Sequence, residues 1–131
     1  MGNEADTYRG TGEYFLVFNE LVKAARCRGT VTYQELAELI GLPITGDHMA
    51  SELAQFLGAI SEDQDRRKRP MLSAVAVTVD GEPGEGFFKL AKTLGKYGGS
   101  DDREDKRRFW EAEVKLVHDL WKRKFSPKGG R

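Results

Sequence analysis

One cysteine, two histidines and four prolines are all that this chain of 131 residues holds of those types. A single Cys27 excludes an intrachain disulfide and suits a reducing compartment, so the expected location is the cytoplasm. Cys27 has no neighbouring base in the sequence, and the expectation is a small, semi-buried residue at a helix end rather than a nucleophile. His48 and His118 lie far apart, and neither has a second Cys or His at ligand spacing, so no metal site and no cofactor are expected. No apolar run approaches the ~20 residues that a membrane span needs. The opening MGNEADTYRG has no apolar core of a signal peptide. Net charge is lacking as well: Lys plus Arg number 21 and Asp plus Glu number 21. Bulk charge therefore gives no argument for a nucleic-acid partner, and any such argument rests on where the charges sit.

What the chain does have is helical grammar around Gly29–Ile60. Tyr14, Phe18, Leu21, Val22 and Ala25 share one face of a first helix over 11–26, with Phe15 and Val17 widening it. Thr32 and Glu35 have capping-box spacing, and Gly41 with Pro43 ends the helix they open. Asp47 is placed to cap a further helix reaching about Ile60, with Met49, Leu53, Phe56, Leu57 and Ile60 inward. Two short helices across a glycine turn are a helix-turn-helix. Its second helix turns His48, Ser51, Glu52 and Gln55 outward. An acidic stretch 61–65 reads as loop and runs into Arg66, Arg67, Lys68 and Arg69. That basic run is either a solvated loop or a set of phosphate contacts.

LSAVAVTV, residues 72–79, reads as a strand because β-branched residues dominate and Pro70 and Asp80-Gly81 bound it. A turn-rich loop follows to Gly86, then a strand or short helix from Phe87-Phe88 to Gly95. The last helix, from Asp101 or Asp102 to Lys124, repeats Trp110, Val114, Val117 and Trp121 at helical spacing. Its acidic first turn and basic last turn both complement the macrodipole. The expected architecture is α+β, mainly α: a winged helix-turn-helix with an N-terminal helix and a long C-terminal helix packed on a small sheet. Residues 1–10 form an arm, 11–125 the single domain, and 126–131 a disordered tail.

The segment Gly29-Thr30-Val31-Thr32-Tyr33-Gln34-Glu35-Leu36-Ala37 resembles the opening of the DNA-binding domain of alkylguanine alkyltransferases and alkyltransferase-like proteins, with its G-x-V-x-T-Y-G-x-[IV]-A pattern. Here the V-T-Y core lacks one intervening residue, and Gln34 stands for the family glycine. Pro70 to Val75, Asp80-Gly81 and Gly86-Phe87 look like the family's P-C-H-R-V-V segment and the turn after it. The resemblance covers roughly residues 29–90 and implies a winged-helix DNA-binding domain. It also places Met71 where the reactive cysteine would be and Leu72 where its histidine neighbour would be. A thioether cannot accept an alkyl group as a thiolate does. The recognition-helix arginine would fall near Ser51 or Glu52. Alkyl transfer is therefore not expected, and no catalytic residue is assigned.

The functional expectation is a non-catalytic winged-helix protein that binds double-stranded DNA, in a regulatory or repair and defence role. His48, Ser51 and Gln55 would lie near base edges, and Arg66, Arg67, Lys68 and Arg69 on phosphate. Arg103, Lys106, Arg107 and Arg108 would add contacts. The alternative is a protein-interaction module, or a homodimer through the C-terminal helix, on the same scaffold. Zero net charge and Glu52 on the outward face favour that alternative.

Overall fold

The computed structural model describes residues 8–43 and 46–122, with backbone alone for 46–50. Helix α1 spans Gly12–Arg26, strand β1 Val31–Thr32, helix α2 Tyr33–Leu39 and helix α3 Gly46–Arg66. A 3₁₀ turn, Leu72–Val75, runs directly into strand β2, Ala76–Val77; helices α4, Glu85–Thr93, and α5, Arg103–Trp121, follow. The molecule is thus mainly helical, with one small sheet in which β1 and β2 run parallel, Val31 opposite Ala76 and Thr32 opposite Val77.

Local chemistry explains the helix boundaries. Thr11 caps α1 by accepting the Tyr14 N–H. Thr32 and Glu35 make the expected reciprocal box: Glu35 N–H donates to Thr32 Oγ1 at 3.0 Å and Thr32 N–H to Glu35 Oε1 at 2.9 Å. Gly41, at φ +80°, lets the chain leave α2, and Leu42 N–H donates back to the Ala37 carbonyl. Asp102 caps α5 through the Asp105 N–H.

The core lies where α1, α3 and α5 close around the 3₁₀ turn. Val17, Leu21, Leu36, Leu53, Ile60, Leu72, Val75 and Val117 are fully buried there. Leu36, Leu53, Phe56, Val75, Val77 and Phe88 are buried as their spacing predicts, while Phe18 and Trp110 are half-buried against the same cluster.

Several expectations are corrected. Residues 72–79 are not one strand. Their backbone groups are satisfied by side chains from other helices: Ser73 N–H donates to Ser61 Oγ at 3.1 Å, and Trp110 Nε1–H donates to the Ala74 carbonyl at 2.9 Å. Just before the turn, Met71 N–H donates to Glu113 Oε2 at 2.8 Å. With those partners, no ladder is needed until Ala76. Among the described residues the small sheet is the two-residue parallel bridge of β1 and β2. Residues 61–65 are helical, not a loop: Ser61 and Gln64 are buried and continue the inward face of α3. Tyr8 and Arg9 are not part of a loose arm, since Tyr8 packs edge-on to Phe56 and Arg9 pairs with Asp63 at 2.9 Å. Phe15 is 52% exposed, so the inward face of α1 is narrower than expected. Cys27 is exposed, not semi-buried, at the C-cap of α1. Residues 1–7 of the arm and the tail 126–131 lie outside the described residues.

Candidate nucleic-acid interface

Helix α3 turns Ser51, Ala54, Gln55, Gly58, Glu62 and Asp65 toward one side, the complement of its buried Leu53, Phe56, Leu57, Ile60 and Gln64. The first half of that outward face is uncharged and built of small residues around Gln55. The second half is acidic. His48 sits on the first turn of α3, and its side chain lies outside the described residues. Glu52, beside the outward face, accepts from the Tyr8 hydroxyl at 3.1 and 3.3 Å, which fixes a carboxylate close to Ser51 and Gln55. Glu62 and Asp63 are both engaged by Arg9. Asp65 lies 3.8 Å from Lys96.

The basic run is at the other end of the same helix. Counted at 1.5 Å of rise per residue, Arg66 is about 22 Å along the axis from Ser51. The structure therefore does not bring the expected base-edge residues and the expected phosphate residues together; it places them at opposite ends of α3. Nor are the four cations equivalent. Arg66 pairs with Asp63 at 3.1 Å. The Arg69 guanidinium lies 5.4 Å from the centre of the Trp121 ring, a cation–π arrangement. Arg67 and Lys68 are exposed and make no ion pair among the described residues. Lys68, at φ +60°, turns the chain out of the helix, with Arg69 N–H donating to the Gln64 carbonyl. On α5, Lys106 faces Glu85 at 3.5 Å, Arg107 faces Glu82 and Glu111 at 3.3 Å, and Arg108 faces Asp105 at 3.5 Å.

Two concavities flank α3. One, of about 330 Å³, lies between the start of α2, the middle of α3 and the start of α4, and its walls include Tyr33, Leu53, Ala54, Leu57 and Phe87. The Tyr33 hydroxyl accepts the Gly84 N–H at 2.9 Å, and burial pushes its pKa up. A Cβ added at Gly84 would lie 3.0 Å from that hydroxyl oxygen, so the close approach of loop and ring suits glycine there. The other is an open cleft of about 530 Å³ between α1 and the end of α3. Neither was expected from the sequence. Tyr33 and the Pro83-Gly84 turn were each visible as residues, but their meeting across 51 positions depends on tertiary packing.

The position compared with a reactive cysteine is closed to solvent. Met71 is fully buried and is absent from the walls of the cavity. Cys27 belongs to the far end of α1 and lines neither concavity. His118 Nε2 lies 3.0 Å from the Gly29 carbonyl oxygen, an interhelical tie between α5 and the segment before β1. Among the described residues no three His, Cys, Asp or Glu side chains converge as metal ligands do. No helix among them is long and apolar enough to cross a membrane. Compared with protein-family models, curated proteins and solved structures, the chain matches none.

Proposed function

We propose that this protein is a non-catalytic helix-turn-helix protein that binds double-stranded DNA through the first half of α3. The observation that carries the reading is the pairing of a capped α2 with a long α3 across the Gly41 turn, leaving an uncharged stripe of Ser51, Ala54, Gln55 and Gly58 outward. The stripe itself carries no charge to repel phosphate, and the Glu52 carboxylate beside it is held by the Tyr8 hydroxyl. Base readout rests on Ser51, Gln55 and His48, and Arg67 and Lys68 supply backbone contact from the end of the helix. The resemblance to alkyltransferase DNA-binding domains supports the same reading.

Gly58 provides the test. A Cβ built there meets nothing within 4 Å, so a side chain can leave the helix at Gly58, and Gly58→Glu improves helix propensity while adding a carboxylate to the stripe. Duplex binding measured by anisotropy at low salt is expected to weaken about tenfold or more, since like charges at an interface cost several kcal/mol. Unchanged affinity in a variant with an unchanged melting curve would remove α3 from the interface.

A second reading, association through α5, draws on Leu116 and Leu120. They lie one turn apart on that helix and are 53% and 45% exposed. Sedimentation over a hundredfold range of protein concentration separates a dimer from a monomer, and Leu116→Lys would dissolve any dimer built on that face.

A further inference from the structure

The open cleft between α1 and the end of α3 combines features of which the DNA reading uses Arg67 alone. Its α1 wall is aromatic: Phe15 is 52% exposed, and Phe18 stands edge-on to Trp121 behind it. The facing wall carries the guanidinium groups of Arg66, Arg67 and Arg69. Among the described residues one carboxylate lines the cleft, Asp63, and it is already held by Arg9, Arg66 and the Tyr14 hydroxyl. Three cations over one satisfied carboxylate leave the cleft positive on a molecule with no net charge.

One buried polar atom lies in these walls and a second lies behind them. Gln64, 4% exposed, lines the cleft, and its Oε1 has no hydrogen-bond partner among the described residues. The Trp121 Nε1–H, behind Phe18 and Arg69, likewise has none. Leaving such groups unpaired is unfavourable, since each has given up its hydrogen bond to water. One is an acceptor that wants an N–H, and the other is a donor that wants an oxygen. A peptide backbone in the cleft supplies the N–H.

We propose that this cleft is a docking site for an acidic protein segment carrying an aromatic or large aliphatic side chain. The apolar side chain lies against Phe15 and Phe18, and the carboxylates face Arg67 and Arg69. The backbone reaches Gln64, which lines the cleft, and the docked side chain presses on Phe18, against which Trp121 packs. A nucleic-acid strand fits less well: an extended polyanion leaving the cleft along α3 runs past Glu62 and Asp65, whereas a short segment ends within the cleft. The site is separate from the outward stripe of α3 and does not depend on DNA binding there.

The probe is a fluorescein-labelled peptide Asp-Phe-Asp-Glu, with Lys-Phe-Lys-Lys and Asp-Ala-Asp-Glu as controls and an unlabelled oligothymidine as competitor. The full chain is expected to bind the first peptide, and both controls are expected to bind at least about tenfold more weakly. Arg67→Glu, at an exposed position, is expected to lower the affinity by a similar factor with an unchanged melting curve. Indole N–H signals in a ¹H–¹⁵N spectrum give an independent readout. Trp110 Nε1–H is committed to the Ala74 carbonyl and should stay in place, while the Trp121 signal should move on addition of the acidic peptide. Equal binding of acidic and basic peptides, tighter binding of oligothymidine than of the acidic peptide, or a Trp121 signal that does not move at saturation would each overturn the proposal.

Discussion

Glu113 lies 5% exposed on α5, with its Oε2 accepting the Met71 N–H at 2.8 Å and the Lys96 ammonium 3.7 Å away. Removing the acceptor leaves a buried backbone donor unpaired, which costs about 1–3 kcal/mol. Glu113→Ala is expected to lower unfolding stability by that amount in a urea titration, and Glu113→Gln, which keeps a carbonyl oxygen there, to lower it less. Equal stability of parent and Ala variant would show that the contact contributes nothing net. Tyr14 makes a pH-dependent contribution. Burial first, then the hydrogen bond it donates to Asp63 and the charge of that carboxylate, raise its phenol pKa above the usual value. A raised folded-state pKa means the stabilisation is complete below the unfolded value of about 10 and is lost as pH rises from there through the folded value. The urea midpoint should therefore fall above about pH 10, and more shallowly in Tyr14→Phe, with the residual slope belonging in part to Tyr33, whose pKa is also raised. Parallel curves for the two proteins would contradict this assignment. Neither residue's role was legible in the sequence. Periodicity placed Tyr14 on the inward face of α1, but the partner Asp63 is 49 positions away. Glu113 shares the inward face of α5 with Val117, and its charge hid that it is core.

At the scale of elements, legibility followed how local the determining interactions are. The box of Thr32 and Glu35 and the Gly41 stop involve residues within a few positions of one another, and the structure has them where the spacing places them. Thr32→Ala removes the cap and is expected to lower stability by ~0.5–2 kcal/mol, read as a drop in melting temperature. An unchanged melting temperature would mean that tertiary packing alone holds α2. The end of α3 was illegible for the opposite reason. Acidic residues near a helix C-terminus oppose the macrodipole, so 61–65 read as a loop. Arg9, from outside the helix, pairs with Glu62 and Asp63, and Ser61 and Gln64 are buried, so the helix continues to Arg66. Residues 72–79 have strand composition but lie within a cage of helices. Ser61, Trp110 and Glu113 take the hydrogen bonds that a neighbouring strand would otherwise make. Composition registered their burial and not the source of their partners.

For the whole molecule, zero net charge makes the arrangement of cations decisive. Several are held by carboxylates, within a helix or from a neighbouring segment, and of the run at 66–69 the exposed and unpaired members among the described residues are Arg67 and Lys68. Each phosphate neutralised contributes about −0.9 to the slope of log affinity against log salt, so two contacts predict a slope of about −2 for duplex DNA. Replacing both by Ala should bring the slope toward zero. Periodicity already turned Ser51 and Gln55 outward, whereas the two flanking concavities became visible only when α1, α2, α3 and the Gly84 loop were placed together. Backbone amide shifts recorded while a duplex is titrated into ¹⁵N-labelled protein test the central claim most directly. The account predicts the largest changes at Ser51, Gln55 and Gly58, with smaller ones at Arg67 and Lys68. Changes confined to α1 and α5, or no change at low salt where the electrostatic attraction is strongest, would contradict it.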